Sequence, residues 1–132
     1  MKTAAKTARV APGSQGRILY AENDANVLAS EAKIFEQAGF AVDRAEGRKS
    51  AEQALRANRY DAVILGHTLS KDDRHHLPYM AKKSNSYAAV MVLHASGKHP
   101  AVDYAMDSRD GHDAVLNALH SLVEQKALAA VS

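Results

Sequence analysis

The spacing of apolar side chains along this chain switches repeatedly between two periods, and each switch marks an element. Ile18-Leu19-Tyr20-Ala21 is a short continuous apolar run, which predicts a buried strand. Asp24 then stands as a helix N-cap before Val27, Leu28, Ile34, Phe35 and Ala38, which recur at helical spacing, and Gly39 follows as the stop. Phe40 to Arg44 alternates in polarity, as a strand at a sheet edge does. Gly47 leads into a helix over about residues 49–58. Asp61-Ala62-Val63-Ile64-Leu65-Gly66 is apolar on both faces and predicts a central strand. Ser70, with Asp73 three residues on, resembles a capping box for a helix running towards residue 84. Pro78 should kink or shorten that helix. Ala88 to Leu93 predicts a fourth strand and Ala101 to Met106 a weaker fifth. Asp110 is placed to cap a last helix with Val115, Leu116, Leu119, Leu122 and Val123 on one face.

This alternation predicts an α/β domain: a three-layer, doubly wound parallel sheet of five strands with helices on both faces. At 132 residues the chain is one domain's worth, and it contains no cysteine. A disulfide framework, a cysteine nucleophile and a thiolate metal site are therefore excluded. No apolar run approaches the ~18 residues of a membrane span, and the N-terminal stretch lacks the apolar core of a signal peptide. No membrane partner and a cytoplasmic location are expected.

Charge divides the chain in two. The net charge is +2, yet Lys2, Lys6 and Arg9 lie in residues 1–16 without one acid, so all 15 acidic residues belong to the remainder. Residues 1–16, with Pro12, Gly13, Ser14 and Gly16, read as a disordered basic leader, and residues 17–130 as a near-neutral folded domain. A nucleic-acid partner is not expected, because such a protein carries its basic face on the fold itself.

Several segments, taken with their spacing, resemble the receiver domain of bacterial two-component response regulators, a CheY-like family of flavodoxin-like fold. Ile18-Leu19-Tyr20-Ala21-Glu22-Asn23-Asp24 stands where that family has a strand ending in an acidic pair that holds Mg²⁺. Ala38-Gly39-Phe40 matches its turn after the first helix, and Tyr60 to Gly66 matches its third strand. Asp103-Tyr104 matches the pair that precedes its essential lysine. The resemblance covers about residues 17–128 and implies the strand order 2-1-3-4-5.

The family's chemistry does not carry over. Gly66 stands at the position of the phosphoryl-accepting aspartate, and the acidic pair becomes Glu22 and Asn23. His94 replaces the family's Ser/Thr after the fourth strand, and Asp107 replaces its lysine. Phosphoryl transfer to a carboxylate needs a nucleophile, a hard cation on oxygen ligands and a positive group over the developing charge. The resemblance therefore implies a degenerate pocket of Glu22, Asn23, Gly66, His67, His94 and Asp107. It implies a pseudo-receiver that is not an enzyme, takes no cofactor and contacts another signalling protein, with a homodimer as a further form.

Length departs from the family as well. Ala95 to Pro100 leaves no room for a helix between the fourth and fifth strands, so the fourth helix is expected to be lost. A stretched parallel crossover is favoured over a hairpin, although a crossover normally takes a dozen residues or more.

Histidine chemistry offers an alternative function. His67 and His94 fall at the carboxyl ends of the third and fourth strands, where doubly wound sheets bind ligands. With Glu22 they could form a ligand- or metal-sensing crevice, since two imidazoles and a carboxylate suit Zn²⁺. Otherwise both histidines fill the space left by the missing aspartate, or His67 itself accepts a phosphoryl group. His75, His76, His112 and His120 read as solvated helix residues, with His75-His76 able to contact a partner, and His99 lies in a loop. Glu31 interrupts the apolar stripe between Val27 and Ile34; it either faces solvent or reaches a buried partner.

Overall fold

A computed structural model describes residues 16–93, 101–106 and 111–131 of the chain. Five strands, β1 (Gly16–Glu22), β2 (Phe40–Glu46), β3 (Ala62–Leu65), β4 (Ala89–Leu93) and β5 (Tyr104–Met106), form one sheet in the order β2-β1-β3-β4-β5. Every neighbouring pair is parallel. The helices are α1 (Ala25–Gln37), α2 (Gly47–Ala57), α3 (Lys71–Ser84) and α4 (His112–Val131).

Alternation along each strand divides the core into two layers. Ile18, Tyr20, Ala62, Ile64, Ala89 and Met91 face α1 and α4, where they meet Leu28, Phe35, Val115 and Leu119. Leu19, Ala21, Val63, Leu65, Val90 and Val92 face α2 and α3, where they meet Leu55, Leu77 and Ala81. Both faces of β3 are covered, which is why its four residues are all apolar. Each large side chain buried here contributes about 1.5–3 kcal/mol relative to exposure.

Local signals set the element ends. The Asp24 side chain accepts from the N–H groups of Asn26 at 2.8 Å and Val27 at 3.1 Å and so starts α1. Gly39 ends α1 at φ +101°, a conformation open to glycine at little steric cost. Ser70 accepts from the Asp73 N–H at 3.1 Å and starts α3. That helix runs through Pro78 to Ser84 and is not shortened by it. The expected cap Asp110 and the leader residues 1–15 lie outside the described residues. Gly16, read as the end of the leader, is the first residue of β1 and pairs with Phe40.

The fifth strand is half the expected length, three residues instead of six, and Asp103 is the reason. Its N–H donates to Val90 O at 2.8 Å, while its carboxylate takes the Val90 N–H at 2.7 Å. A side chain thus occupies the ladder position that a strand residue would need. Because β5 pairs with β4 in parallel, the connection through residues 94–103 is a crossover and not a hairpin. Residues 94–100, where the lost helix was expected, lie outside the described residues.

Polar clusters brace the amino-terminal end of the sheet. The nearly buried Arg17 pairs with Asp43 at 3.0 Å and lies 5.0 Å from the Tyr60 ring centroid, and Tyr60 O–H donates to Asp43 at 2.6 Å. Burial, followed by the neighbouring Asp43, pushes the Tyr60 phenol well above its ordinary range. At the other side of the sheet, Asp103 receives Lys82 from α3 at 2.7 Å and Lys126 from α4 at 3.0 Å. Burial pushes the Asp103 carboxyl up, but the bonds from Lys82, the Val90 N–H and Lys126 outweigh it, and the net shift is downward.

A carboxyl lowered in the folded state stabilises the fold above its unfolded pKa and loses that contribution as pH falls through the folded value. Asp103→Asn should therefore cost about 2 kcal/mol near neutral pH, the scale of hydrogen bonds to charged groups. The cost should be smaller at about pH 3, already below the ordinary aspartate range, and vanish only below the lowered folded value. Urea unfolding of both proteins at the two pH values checks this, and an unchanged difference would contradict it.

Candidate functional site

Parallel strands deliver their carboxyl ends to one edge of the sheet, and β1 and β3 do so side by side. Their register pairs Ile18 with Ala62 and Tyr20 with Ile64. Carried one step further, it sets Glu22 beside Gly66 on the same face, and the Gly66 N–H continues the ladder to Ala21 O at 2.9 Å. Glu22 is fully buried. One carboxylate oxygen, Oε2, accepts from the Tyr20 hydroxyl. The other, Oε1, accepts from the Thr68 N–H at 2.9 Å and the Thr68 hydroxyl at 2.7 Å. Burial first, and then the bond to Glu22, push the Tyr20 phenol far above its ordinary range.

Glycine at position 66 is required by this arrangement. A Cβ built there would lie 1.8 Å from Glu22 Cδ and 1.9 and 2.1 Å from its two oxygens. The Glu22 carboxylate therefore occupies the space into which any side chain on residue 66 would project. For His67 the expectation of filling this space is corrected: glutamate, one bond longer than aspartate, reaches across from the neighbouring strand. His67 lies at the rim, 39 % exposed, with Nδ1 at 3.9 Å from Glu22 Oε2. His94 and Asp107 lie outside the described residues.

Thr68, not singled out by the sequence, organises the surrounding loops. While it donates to Glu22, its hydroxyl oxygen accepts from the N–H groups of Asn23 at 2.8 Å and Asp24 at 3.1 Å. One donor and two acceptor positions use the full capacity of a hydroxyl. The Asn23 side chain is exposed, and Asp24 is spent on capping α1. Among the described residues, no group of three or more histidine, cysteine, aspartate or glutamate side chains is placed to hold a metal ion.

The remaining histidines are less uniformly solvated than expected. His120 packs its ring 4.9 Å from Phe40, between centroids, and His75 meets Tyr79 edge-on at 5.8 Å. His76 lies 3.9 Å from Glu52. His112 is exposed but approaches Glu31 at 3.2 Å. Glu31 thus reaches no buried partner; partly exposed, it meets the exposed His112 on the first turn of α4.

No family model matches the sequence, and no curated protein matches it either. Solved structures do. A signal receiver domain of an HD domain-containing protein from Pseudomonas fluorescens Pf-5 superposes with a TM-score of 0.75 at 15 % identity, covering 92 % of this chain and 96 % of that one. The fold is that of a CheY-like receiver domain. A response regulator receiver domain protein from Methanospirillum hungatei JF-1 gives a TM-score of 0.74 at 14 % identity over 86 % of this chain and 97 % of that chain. The receiver domain of a sensor histidine kinase from Pseudomonas aeruginosa, which has a magnesium ion coordinated in its active-site cleft, gives 0.69 at 13 % identity over 83 % and 98 %. Like those receiver domains, this chain has a parallel sheet with helices on both faces. No helix among the described residues is long and apolar enough to cross a membrane.

The contact between residues 22 and 66 is open to a double-mutant cycle. Gly66→Ala should cost about 3 kcal/mol in the parent, the range of overpacking combined with displaced buried hydrogen bonds. In a Glu22→Ala background the same change should cost less than about 1 kcal/mol, because the obstruction is gone. Denaturant unfolding of the four proteins measures the coupling, and equal costs in both backgrounds would show that some other group resists the new methyl.

Proposed function

We propose that this chain is a pseudo-receiver of two-component or phosphorelay signalling, which takes no phosphoryl group and acts by contact with another signalling protein. One observation carries the reading: the Glu22 carboxylate fills the volume over Gly66, so the end of β3 has neither a nucleophile nor room for one. In the correspondence drawn from the sequence, residue 66 is the position from which receivers present their acceptor aspartate. Glu22 cannot substitute for it, because both its oxygens are engaged by Tyr20 and Thr68 in a site with no exposed surface.

The residues here do not fit Mg²⁺. That ion is held by carboxylates with free oxygens and by substrate phosphate. Glu22 is enclosed, Asn23 is uncharged and Asp24 caps α1. Asp107 places a negative charge where receivers carry a lysine. A metal-sensing crevice at Glu22, His67 and His94 gains no support from the described part of the site, since Glu22 already has its full set of donors. What the chain retains is the scaffold, and receiver scaffolds signal by presenting a surface to another protein. The reading assigns it no catalytic turnover.

Incubation of the full chain with acetyl phosphate and Mg²⁺, followed by intact-mass measurement, tests the proposal. The protein should remain unmodified. Gly66→Asp should remain unmodified too, because the new side chain meets Glu22 and a like charge. A like charge about 4 Å from a phosphoryl group costs on the order of 4 kcal/mol at an effective dielectric of ~20. A phosphoryl adduct on the parent would overturn the reading, and its loss in His67→Ala would identify residue 67 as the acceptor.

A further inference from the structure

A cavity of about 250 Å³ opens beside this site, between α1 and the first turn of α4. Its floor is apolar, made by Ile34, Phe35, Leu93 and Val115. Its rim carries Glu31, His67 and His112, and no lysine or arginine is among the described lining residues. The size decides the class of occupant. A protein cavity of about 150 Å³ takes one benzene, so this one accommodates an aromatic ring with a short polar chain.

Charge decides the rest. Glu31 stands at the rim, its side chain 32 % exposed, with His112 Nε2 at 3.2 Å from one oxygen and 3.4 Å from the other. One imidazole nitrogen shared between two oxygens leaves acceptor capacity on both. The buried Glu22 carboxylate lies behind His67, on the same side. The Glu31 carboxylate at the rim, with that of Glu22 near His67, favours a cation. The Phe35 ring adds an aromatic surface, which attracts cations and stacks with aryl groups.

The geometry points to a binding site for a small organic cation, an arylalkylamine or similar primary amine, with its apolar body on Ile34, Phe35, Leu93 and Val115 and its ammonium on Glu31. The site is separate from the phosphoryl-acceptor position and goes beyond the pseudo-receiver reading; occupancy would bridge α1 and α4, two helices of one face. It gives Glu31 a role beyond its contact with His112. A charged side chain inside the apolar stripe of α1 is out of place for packing against the sheet, and in place as the polar anchor of a pocket.

The test uses the full chain and 2-phenylethylamine as probe, with binding followed through the methyl resonances of Ile34, Leu93 and Val115. A ligand of about nine non-hydrogen atoms should bind with a Kd in the millimolar to high-micromolar range. Glu31→Gln should weaken binding about tenfold or more, the loss of one charge-assisted hydrogen bond. The neutral 2-phenylethanol should weaken by a similar factor. Ile34→Phe, which fills the cavity without touching the charge, should abolish binding while the far-ultraviolet dichroism stays that of the parent. Three outcomes would overturn the proposal: no shift of these methyls well above that range, equal affinity in Glu31→Gln, or a preference for 3-phenylpropionate, which would make the histidines anion donors instead. The phosphorylation assay above is indifferent to all of these results, so the two readings stand or fall separately.

Discussion

A carboxylate with no exposed surface survives at the end of β1 because three hydrogen-bond donors converge on it. Left without them, an ionised carboxylate in the interior would cost several kcal/mol even after the surroundings relaxed. Tyr20 supplies one donor from two residues back on the same face, and Thr68 supplies two from the loop after β3. The consequences spread outward from that bond set. Thr68 is drawn over the strand ends, its hydroxyl meets the N–H groups of Asn23 and Asp24, and Asp24 is left oriented to cap α1. Gly66 completes the set by leaving the carboxylate room to lie flat against the neighbouring backbone. One buried charge thus fixes the β1–α1 loop, the β3–α3 loop and the start of a helix.

Much of the scaffold was legible because its signals are local. Asp24, Gly39 and Ser70 act within one turn of chain, and the apolar runs at Ile18–Ala21 and Ala62–Leu65 report burial directly. The site was legible only in outline, because its decisive contacts join residues 44 to 46 positions apart. Sequence pattern pointed to the strand ends and to Gly66, but the histidines looked like natural fillers of the space, being bulky and adjacent. A signal was available in retrospect. Parallel register puts every second residue of β1 beside its counterpart on β3, and a glutamate facing a glycine on one side of a sheet is a complementary pair of volumes. Tyr20 carried a hint as well, since a phenol buried in a central strand needs an acceptor within reach.

The departures from expectation have a common cause: polar side chains take positions that backbone or apolar groups were expected to hold. Asp103 occupies a rung of the ladder and trims β5 to three residues. Glu31 answers His112 across a gap between helices, in a stripe where an apolar residue would have closed it. Periodicity arguments treat such residues as exceptions to a stripe. In this fold they mark the places where an element ends or where a gap is left.

Asp103 has a mechanical consequence. Lys82 belongs to a helix on one face of the sheet and Lys126 to a helix on the other, and both end on this single carboxylate at the sheet's margin. The outer layers of a three-layer sandwich ordinarily feel each other only through the strands between them. Here they are also connected in series around the edge, like two guy ropes tied to one peg. A push that slides one helical layer along the sheet loads the peg, and the opposite layer takes up the tension without any strand having to bend.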